Sequence, residues 1–218
     1  MLDGVLLATM NCKTFFKPAE YNLADNNIGI SFTLSEKIYL SGEQTLVDAY
    51  LLGANVLESG FRPDLIIGVW RGGAPIAIAI HELLLHQGIE ADHIAIRSQL
   101  YKGIEQRRAK VQVDGLDYVA AQLDHIQRIL IVDDVFDSGL SMAQILSDID
   151  SLNGGKEVEC RVAVPWYKPG NNMTAYTPDY FLHTTDAWLV FPHELCGLQQ
   201  TELLDNKPGI EKIRHLFK

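Results

Sequence analysis

The 218-residue chain lacks the features that mark several large classes of protein. Its three cysteines, Cys12, Cys160 and Cys196, are far apart and form no Cys-x-x-Cys spacing, so neither a disulfide framework nor a zinc site is indicated. The 18 Lys and Arg are outnumbered by 28 Asp and Glu, and the net charge of -10 argues against a nucleic-acid-binding surface. No apolar run approaches the length of a membrane span, and the N-terminus lacks the basic region of a signal peptide. We therefore expect a cytoplasmic protein with no nucleic-acid or membrane partner.

From residue 41 onward the sequence alternates between short apolar runs and helical patterns. The runs at 64–70 and 128–134 have the form of strands buried on both faces of a sheet, and further strands are predicted at 93–97 and 158–166. Helical patterns start after Ser41, at Pro75 and after Ser141, and they stop near glycines. In the first helix, Ser41 and Gln44 make a plausible capping box, and one face carries Leu46, Val47, Tyr50, Leu51, Ala54 and Leu57. This alternation predicts βαβ units and a parallel sheet, which is the α/β fold class.

The most informative stretch is the string RILIVDDVFDSGLS at 128–141. An apolar strand runs directly into Asp133 and Asp134, whose charges are costly at a strand end unless a cationic or hydroxylic group is held there. A short loop then leads into a helix N-terminus, where backbone N–H groups and the hydroxyls of Ser138 and Ser141 suit a phosphate monoester. A lone Asp-Ser-Gly would be an ordinary helix cap. The whole string, at the carboxyl end of a strand, indicates a ligand with both a sugar diol and a phosphate.

This string resembles the motif that binds phosphoribosyl pyrophosphate (PRPP) in type I phosphoribosyltransferases, with serine at 138 and 141 where threonine is commoner. The resemblance implies that family's α/β fold, a mainly parallel twisted sheet flanked by helices with a small hood subdomain. It also implies Mg2+ as the cofactor, with Asp133 and Asp134 meeting the ribose hydroxyls or the metal. Asp137 would be the catalytic general base. The 5′-phosphate would lie in the loop of Asp137, Ser138, Gly139, Leu140 and Ser141.

Two further segments resemble the pyrophosphate end of the purine enzymes in that family. The turn after the first core strand contains Arg71 and Gly72, and the family often has a non-proline cis peptide here, which would fall near Trp70–Arg71. On its own this turn is weak evidence for a site. The segment 98–110 lies where the family carries a mobile lid, so Arg97, Tyr101 and Lys102 are candidate pyrophosphate contacts.

The last third of the sequence resembles the base-binding hood of the 6-oxopurine enzymes. By that resemblance Lys168 donates to the exocyclic 6-oxygen, Trp188 stacks on the purine, and the backbone of Leu189 reads the ring edge. Glu194 lies where the family places an acidic ligand for a second magnesium ion, usually an aspartate. Without the PRPP motif, a core tryptophan and a surface lysine would be the simpler interpretation.

These observations predict three parts of the chain: an N-terminal extension at 1–36, a PRPP-binding core at 37–165, and a base-binding hood with the C-terminal segment at 166–218. The expected reaction transfers the phosphoribosyl group of PRPP to N9 of hypoxanthine, guanine or xanthine in purine salvage. We expect a homo-oligomer, either a dimer or a tetramer. The alternatives are a phosphoribosyltransferase for another base and a non-catalytic PRPP-sensing regulator. A Rossmann nucleotide binder is excluded because no Gly-x-Gly-x-x-Gly follows the first strand.

Overall fold

The computed structural model describes residues 37–101 and 110–217. The predicted N-terminal extension, the tip of the predicted lid and Lys102 therefore lie outside the described residues. None of the helices within these ranges is both long and apolar enough to cross a membrane. The elements are β1 (Lys37–Tyr39), α1 (Gly42–Glu58), β2 (Leu65–Trp70), α2 (Gly73–His86), β3 (Asp92–Tyr101), β4 (Lys110–Asp114), α3 (Leu116–Gln122), β5 (Arg128–Val132), β6 (Val135–Phe136), α4 (Leu140–Leu152), β7 (Glu159–Tyr167), β8 (Tyr180–Thr184), β9 (Trp188–Val190) and α5 (Gln200–Asn206), with 3-10 turns at Pro169–Asn171 and Ile210–Leu216.

Seven strands form the main sheet, in the order β4-β3-β2-β5-β7-β6, with β8 also paired to β7. All of these pairs are parallel except that of β3 with β4. Strands β2 and β5 lie at the centre, and the side chains of Ile67 and Ile131 are fully buried in the core that includes residues of α3 and α4. The predicted α/β fold with a mainly parallel sheet is therefore confirmed.

A second, two-stranded sheet pairs β1 with β9 in parallel and places Ile38 opposite Leu189. Leu40, Leu189 and Phe191 form its small apolar core, against which Trp166 packs. The predicted boundary at 165 stays a prediction. Strand β1 comes from the start of the predicted core, and β8 from the predicted hood belongs to the main sheet.

Helix α1 buries a different face from the one that carries most of its large apolar residues. Its Ser41 cap is present, since the hydroxyl accepts a hydrogen bond from the backbone N–H of Gln44 at 3.0 Å, but the Gln44 side chain donates to Asp48 instead of returning to the cap. Gly53 allows close packing on α2, because a Cβ there would lie 2.9 Å from the Leu83 side chain. The buried residues are Asp48, Ala49, Leu52, Gly53 and Val56, and those exposed are Leu46, Val47, Tyr50 and Leu51.

The polar segment from 98 onward is more regular than its composition indicates. Residues up to 101 continue β3, which pairs with β4 so that Ser98 lies opposite Val113. Val111 is buried on this hairpin. Helix α3 follows directly and buries Val119. The alternating valines of β4 and the short amphipathic pattern of α3 are sufficient to form these two elements. The charged and amide residues between them make the segment look like a polar loop when only its composition is considered.

Candidate active site

The turns that follow β2 and β5 meet at the carboxyl edge of the main sheet. Gly68 lies opposite Val132 in the two paired strands, so the chain segments beyond them are neighbours. A Cβ on Gly72 would lie 1.7 Å from Asp134 Oδ2, and one on Gly73 would lie 2.3 Å from the Val132 carbonyl oxygen. Both positions therefore require glycine for close approach rather than for an unusual backbone angle.

Two arginines, Arg71 and Arg97, line the cleft at this edge. The Trp70–Arg71 peptide bond is cis, at the position that the family resemblance implied. Arg97 lies 3.7 Å from the Asp114 carboxylate and donates to the Gln99 side chain, and its own side chain remains 58% exposed. Both guanidinium groups are close enough to the cleft to contribute positive potential for an anion. The predicted contacts of Tyr101 and Lys102 are not addressed by the described side chains.

The acidic pair after β5 lies in surroundings that oppose its ionisation. Burial, reinforced by the charge of Asp134, raises the pKa of Asp133 well above its usual range. Burial and then the charge of Glu194 raise the pKa of Asp134 to about 6. The backbone N–H of Asp134 donates to Asp133 Oδ1 at 2.9 Å, which fixes the geometry of the pair. Such carboxylates regain their charge readily when a cation lies beside them, so this edge favours a ligand that brings one.

The loop between β6 and α4 has a rigid backbone. Gly139 has a φ of 76°, and a Cβ there would lie 2.7 Å from Thr174 Oγ1, so no other residue fits without displacement. The Ser138 carbonyl accepts a hydrogen bond from the backbone N–H of Met173 at 2.9 Å, and its hydroxyl accepts one from the N–H of Leu140 at 3.4 Å. The loop leads directly into the N-terminus of the 13-residue helix α4, whose dipole favours an anion.

Asp137 is held from two sides at the start of this loop. Its Oδ2 lies 3.3 Å from the Lys168 ammonium, and its Oδ1 accepts a hydrogen bond from the Asn171 side chain at 2.7 Å. Lys168 is 6% exposed, and its backbone N–H donates to the Phe136 carbonyl at 2.9 Å. The residue predicted to contact the base is therefore a neighbour of the predicted general base.

A polar cleft of about 530 Å³ joins several predicted residues at this edge. Trp188, with 59% of its surface exposed, and Leu189, which is buried, lie on β9 and do not line it. Asp137, Ser138, Gly139, Leu140 and Lys168 do not line it either, although Ser141 of the same loop does. The predicted residues that line the cleft are Arg71, Gly72, Arg97, Asp133, Asp134, Ser141 and Glu194, joined by Val69, Trp70, Ser98, Gln99 and His193.

The side chains of this cleft fit Mg2+ only as part of a shared site. Among residues 37–101 and 110–217, no three His, Cys, Asp or Glu side chains are grouped so that they alone could hold a metal ion. Mg2+ is commonly bound through one or two protein carboxylates together with substrate phosphates. The raised pKa values of Asp133 and Asp134 and the adjacent Glu194 suit that arrangement. The Ser98 hydroxyl is buried in the cleft wall with no hydrogen-bond partner among the described residues, which leaves it available to a ligand.

Some residues of the site had no recognisable signal in the sequence. Asn171 and Met173 contact the loop between β6 and α4 from a segment about 35 residues further along the chain. No motif in the neighbouring sequence indicates that they belong to the site. Ser98 was included in the predicted lid, but its buried hydroxyl depends on the pairing of β3. His193 lies beside Glu194 in the sequence, so adjacency to a candidate ligand was the available signal.

The fold and this cleft define an α/β protein whose ligand site lies at the carboxyl ends of parallel strands. The chain belongs to the family of phosphoribosyl transferase domains, because the model of that family matches residues 39–198. A search of curated protein sequences found no match.

Several solved structures are similar to the chain. The purine phosphoribosyltransferase from Pyrococcus horikoshii Ot3 is 27% identical, over 75% of this chain and 97% of that protein, with a TM-score of 0.57. The xanthine-guanine-hypoxanthine phosphoribosyltransferase of Helicobacter pylori is 24% identical, over 72% and 92% of the two chains, with a TM-score of 0.56. A hypothetical protein from Neisseria gonorrhoeae with bound ppGpp is 20% identical, over 75% and 92%, with a TM-score of 0.61. The Helicobacter and Neisseria proteins are less than 25% identical to this chain, so their similarity shows a shared fold alone.

Proposed function

We propose that the protein transfers the 5-phosphoribosyl group of PRPP to N9 of a 6-oxopurine and releases pyrophosphate. The observation that carries this proposal is the meeting of three features at one sheet edge: the acidic pair Asp133 and Asp134, the rigid loop around Gly139 at the start of α4, and the glycine turn after β2. The similarity to the Pyrococcus purine enzyme supports the choice of a purine base.

In this proposal the protein's own groups position the phosphosugar and stabilise the charge that develops on it. The loop from Asp137 to Ser141 and the α4 N-terminus bind the 5′-phosphate. Asp133 and Asp134 would contact the ribose and support the positive charge that grows on the sugar as the bond from C1 to pyrophosphate breaks. Bound Mg2+ would neutralise the departing pyrophosphate. Asp133 and Asp134 would hold one ion together with the substrate, and Glu194 would hold a second.

Asp137 is the proposed general base, which receives or relays the N7 proton of the purine as N9 forms its bond to C1. Its two contacts, with Lys168 at 3.3 Å and Asn171 at 2.7 Å, fix the carboxylate at the edge of the loop. A lysine ammonium has three donors, so Lys168 can contact Asp137 and still donate to the 6-oxygen of a base. The pairing is thus compatible with both roles proposed for these residues.

The base would stack on Trp188, whose indole is exposed on β9. Stacking of a base on one aromatic ring contributes roughly 1–3 kcal/mol. In the proposed pose the backbone of Leu189 contacts the ring edge, because the Leu189 side chain is buried among Leu40 and Phe191 and leaves only its main chain to contact a ligand. Selection of 6-oxopurines then rests on donation from Lys168.

We also propose that the protein acts in purine salvage in the cytoplasm as a homo-oligomer. The exposed apolar side chains on α1, including Leu46, Tyr50 and Leu51, support self-association, since contiguous apolar patches often mark interaction surfaces. Sedimentation velocity would distinguish a dimer or tetramer from the monomer that would contradict this part of the proposal.

The role of Asp137 gives a direct test of the chemistry. Asp137→Asn keeps the shape of the side chain but removes the basic carboxylate, so turnover should fall by roughly 10²-fold or more. A matched control is Asp148→Asn on α4. The Asp148 carboxylate does not line the cleft, and it accepts a hydrogen bond from the Gln144 side chain at 2.8 Å. Near-normal turnover of Asp137→Asn would remove Asp137 from the mechanism.

A further inference from the structure

The chain continues past the family region and packs against the edge of the candidate site. The matched region ends at residue 198, and α5 with the following 3-10 turn lies beyond it. Glu202 anchors this segment to β1, accepting from Lys37 at 2.6 Å and from the Tyr39 hydroxyl at 2.9 Å. Leu203 is the buried residue of α5. The segment is thus part of the small sheet's support.

This segment contains a buried lysine, Lys207, and lysines are rarely buried in proteins. Lys207 is 6% exposed, and its ammonium donates a hydrogen bond to the Phe191 carbonyl at 2.5 Å. Burial lowers the pKa of Lys207, and the nearby charge of Glu194 partly offsets that effect. A buried lysine costs stability unless it has partners, so its presence calls for a reason other than packing.

The Phe191 carbonyl that Lys207 contacts belongs to the turn that carries Glu194. The backbone N–H of Glu194 donates to the same carbonyl at 3.0 Å. In the opposite direction, the backbone N–H of Phe191 donates to Glu194 Oε2, also at 3.0 Å. The carboxylate that lines the cleft is therefore oriented by the main chain of Phe191, and that main chain is tied to the C-terminal segment by Lys207.

We propose that Lys207 is a positioning residue that fixes the turn from Phe191 to Glu194 and thereby holds the Glu194 carboxylate at the cleft. The C-terminal segment, which lies outside the family region, is then part of the active site's supporting structure. This inference rests on the proposed function, in which Glu194 is one of the residues that would hold Mg2+.

Lys207→Met tests this role, because methionine has a similar length and fills the same space without a donor. Loss of a direct outer partner of a metal-binding residue commonly lowers metal affinity by 10–100-fold. Lys207 acts one contact further away, through the Phe191 main chain, so the half-saturating Mg2+ concentration should rise by up to about tenfold. The kcat at saturating Mg2+ should stay within about twofold, since no contact with the reacting atoms is lost. Binding of Mn2+ in the presence of pyrophosphate, followed by electron paramagnetic resonance, should weaken in parallel without any turnover being measured. Hydrogen exchange at the amides of Phe191 and Glu194 should accelerate.

Two further variants separate positioning from general destabilisation. Leu203→Ala removes buried packing from the same segment but leaves the Lys207 contact, so it should lower the Tm without changing the half-saturating Mg2+ concentration. Lys207→Arg retains charge and donors and should recover part of the lost affinity. Unchanged metal affinity in Lys207→Met would overturn the inference. Tighter metal binding would also overturn it, because Lys207 would then act only as a charge that repels the cation.

The same measurements keep this inference separate from the proposed function. If the unaltered protein neither forms a nucleotide nor binds PRPP, the proposed function fails, while hydrogen exchange and Mn2+ binding still report on Lys207. If the unaltered protein is active and Lys207→Met matches it in every readout, only the inference fails.

Discussion

Substituting alanine for Gly72 perturbs the candidate site at a single contact. The added Cβ would lie 1.7 Å from Asp134 Oδ2 and 2.1 Å from its Cγ. Ordinary separations of nonbonded heavy atoms are roughly 3.5 Å, so the carboxylate would have to retreat by about 1.5–2 Å. The backbone of Gly72, with φ of -67° and ψ of -33°, is one that alanine adopts without strain. The substitution therefore moves a side chain and leaves the fold in place.

The displacement is large for a catalytic site. A misplacement of about 1 Å can cost about 10²-fold in rate, so kcat/KM for nucleotide formation should fall at least that far in Gly72→Ala. The Tm should fall as well, because the Cγ of Asp134, in a short side chain, lies 2.1 Å from the added Cβ, and its surroundings are buried enough to raise its pKa. Steady-state kinetics at saturating Mg2+, together with a thermal melt, would measure both quantities.

Two comparisons make this result specific. Gly42→Ala at the start of α1 introduces a methyl group with no described atom within 4 Å, so activity should be normal and helix propensity should favour it slightly. Combining Gly72→Ala with Asp134→Ala should cost no more than Asp134→Ala alone, because both changes act on one carboxylate. Activity of Gly72→Ala equal to that of the unaltered protein would refute the role assigned to this close approach.

Two other perturbations have signs fixed by the structure. Gly139→Ala combines a φ of 76° with a Cβ only 2.7 Å from Thr174 Oγ1, whereas Gly154→Ala has a positive φ but no described neighbour within 4 Å. Each strained backbone costs about 1–3 kcal/mol, so Gly139→Ala should lose more stability than Gly154→Ala. Urea unfolding of the two variants would compare their free energies of unfolding. Equal losses would show that crowding at Gly139 contributes nothing. The hydrogen bond from Lys37, aided by those from the Gln199 N–H and Tyr39, lowers the pKa of Glu202 from 4.5 to about 2. The stability that this carboxylate contributes is complete above pH 4.5 and is lost as the pH falls through about 2, so the difference in Tm between Glu202→Gln and the unaltered protein should be largest near neutrality and shrink in acid. A difference that does not vary with pH would contradict this assignment.

The strands and the acidic loop were predictable because their information is local. Ile129 to Val132 form an unbroken apolar run, and the carboxylates and small residues that follow are contiguous in the chain, so one window of sequence contains the strand, the turn and the helix start. The cis bond between Trp70 and Arg71 followed from the family resemblance and not from propensity. The roles of the individual site residues stay predictions.

The face of α1 that packs on the protein could not be identified from periodicity. Both of its faces carry apolar residues, and the buried one includes Asp48 and Gly53, which a hydrophobic pattern does not select. Asp48 is tolerated because Gln44 donates to it at 2.7 Å and His183 Nε2 lies 3.1 Å away. Those partners, and the helix α2 that approaches Gly53, are known only once the chain is folded.

The packing of the C-terminal segment was the part of the fold that the sequence predicted least well. Ile210, Ile213, Leu216 and Phe217 have the spacing of a short packing helix, but only Ile210 is buried in the observed 3-10 turn. Polar residues, Glu202 and Lys207, make the specific contacts of this segment instead. Long-range pairs of this kind have no local signature, because each partner looks like an ordinary surface charge.

The most direct test of the proposed function is nucleotide formation from PRPP and Mg2+, with hypoxanthine, guanine, xanthine, adenine, orotate and uracil compared in parallel. The proposed function predicts turnover confined to the 6-oxopurines, with release of one pyrophosphate for each nucleotide formed. PRPP binding without reaction of any base would contradict it and favour a regulator. Turnover of adenine, orotate or uracil alone would contradict the roles proposed for Lys168 and Trp188.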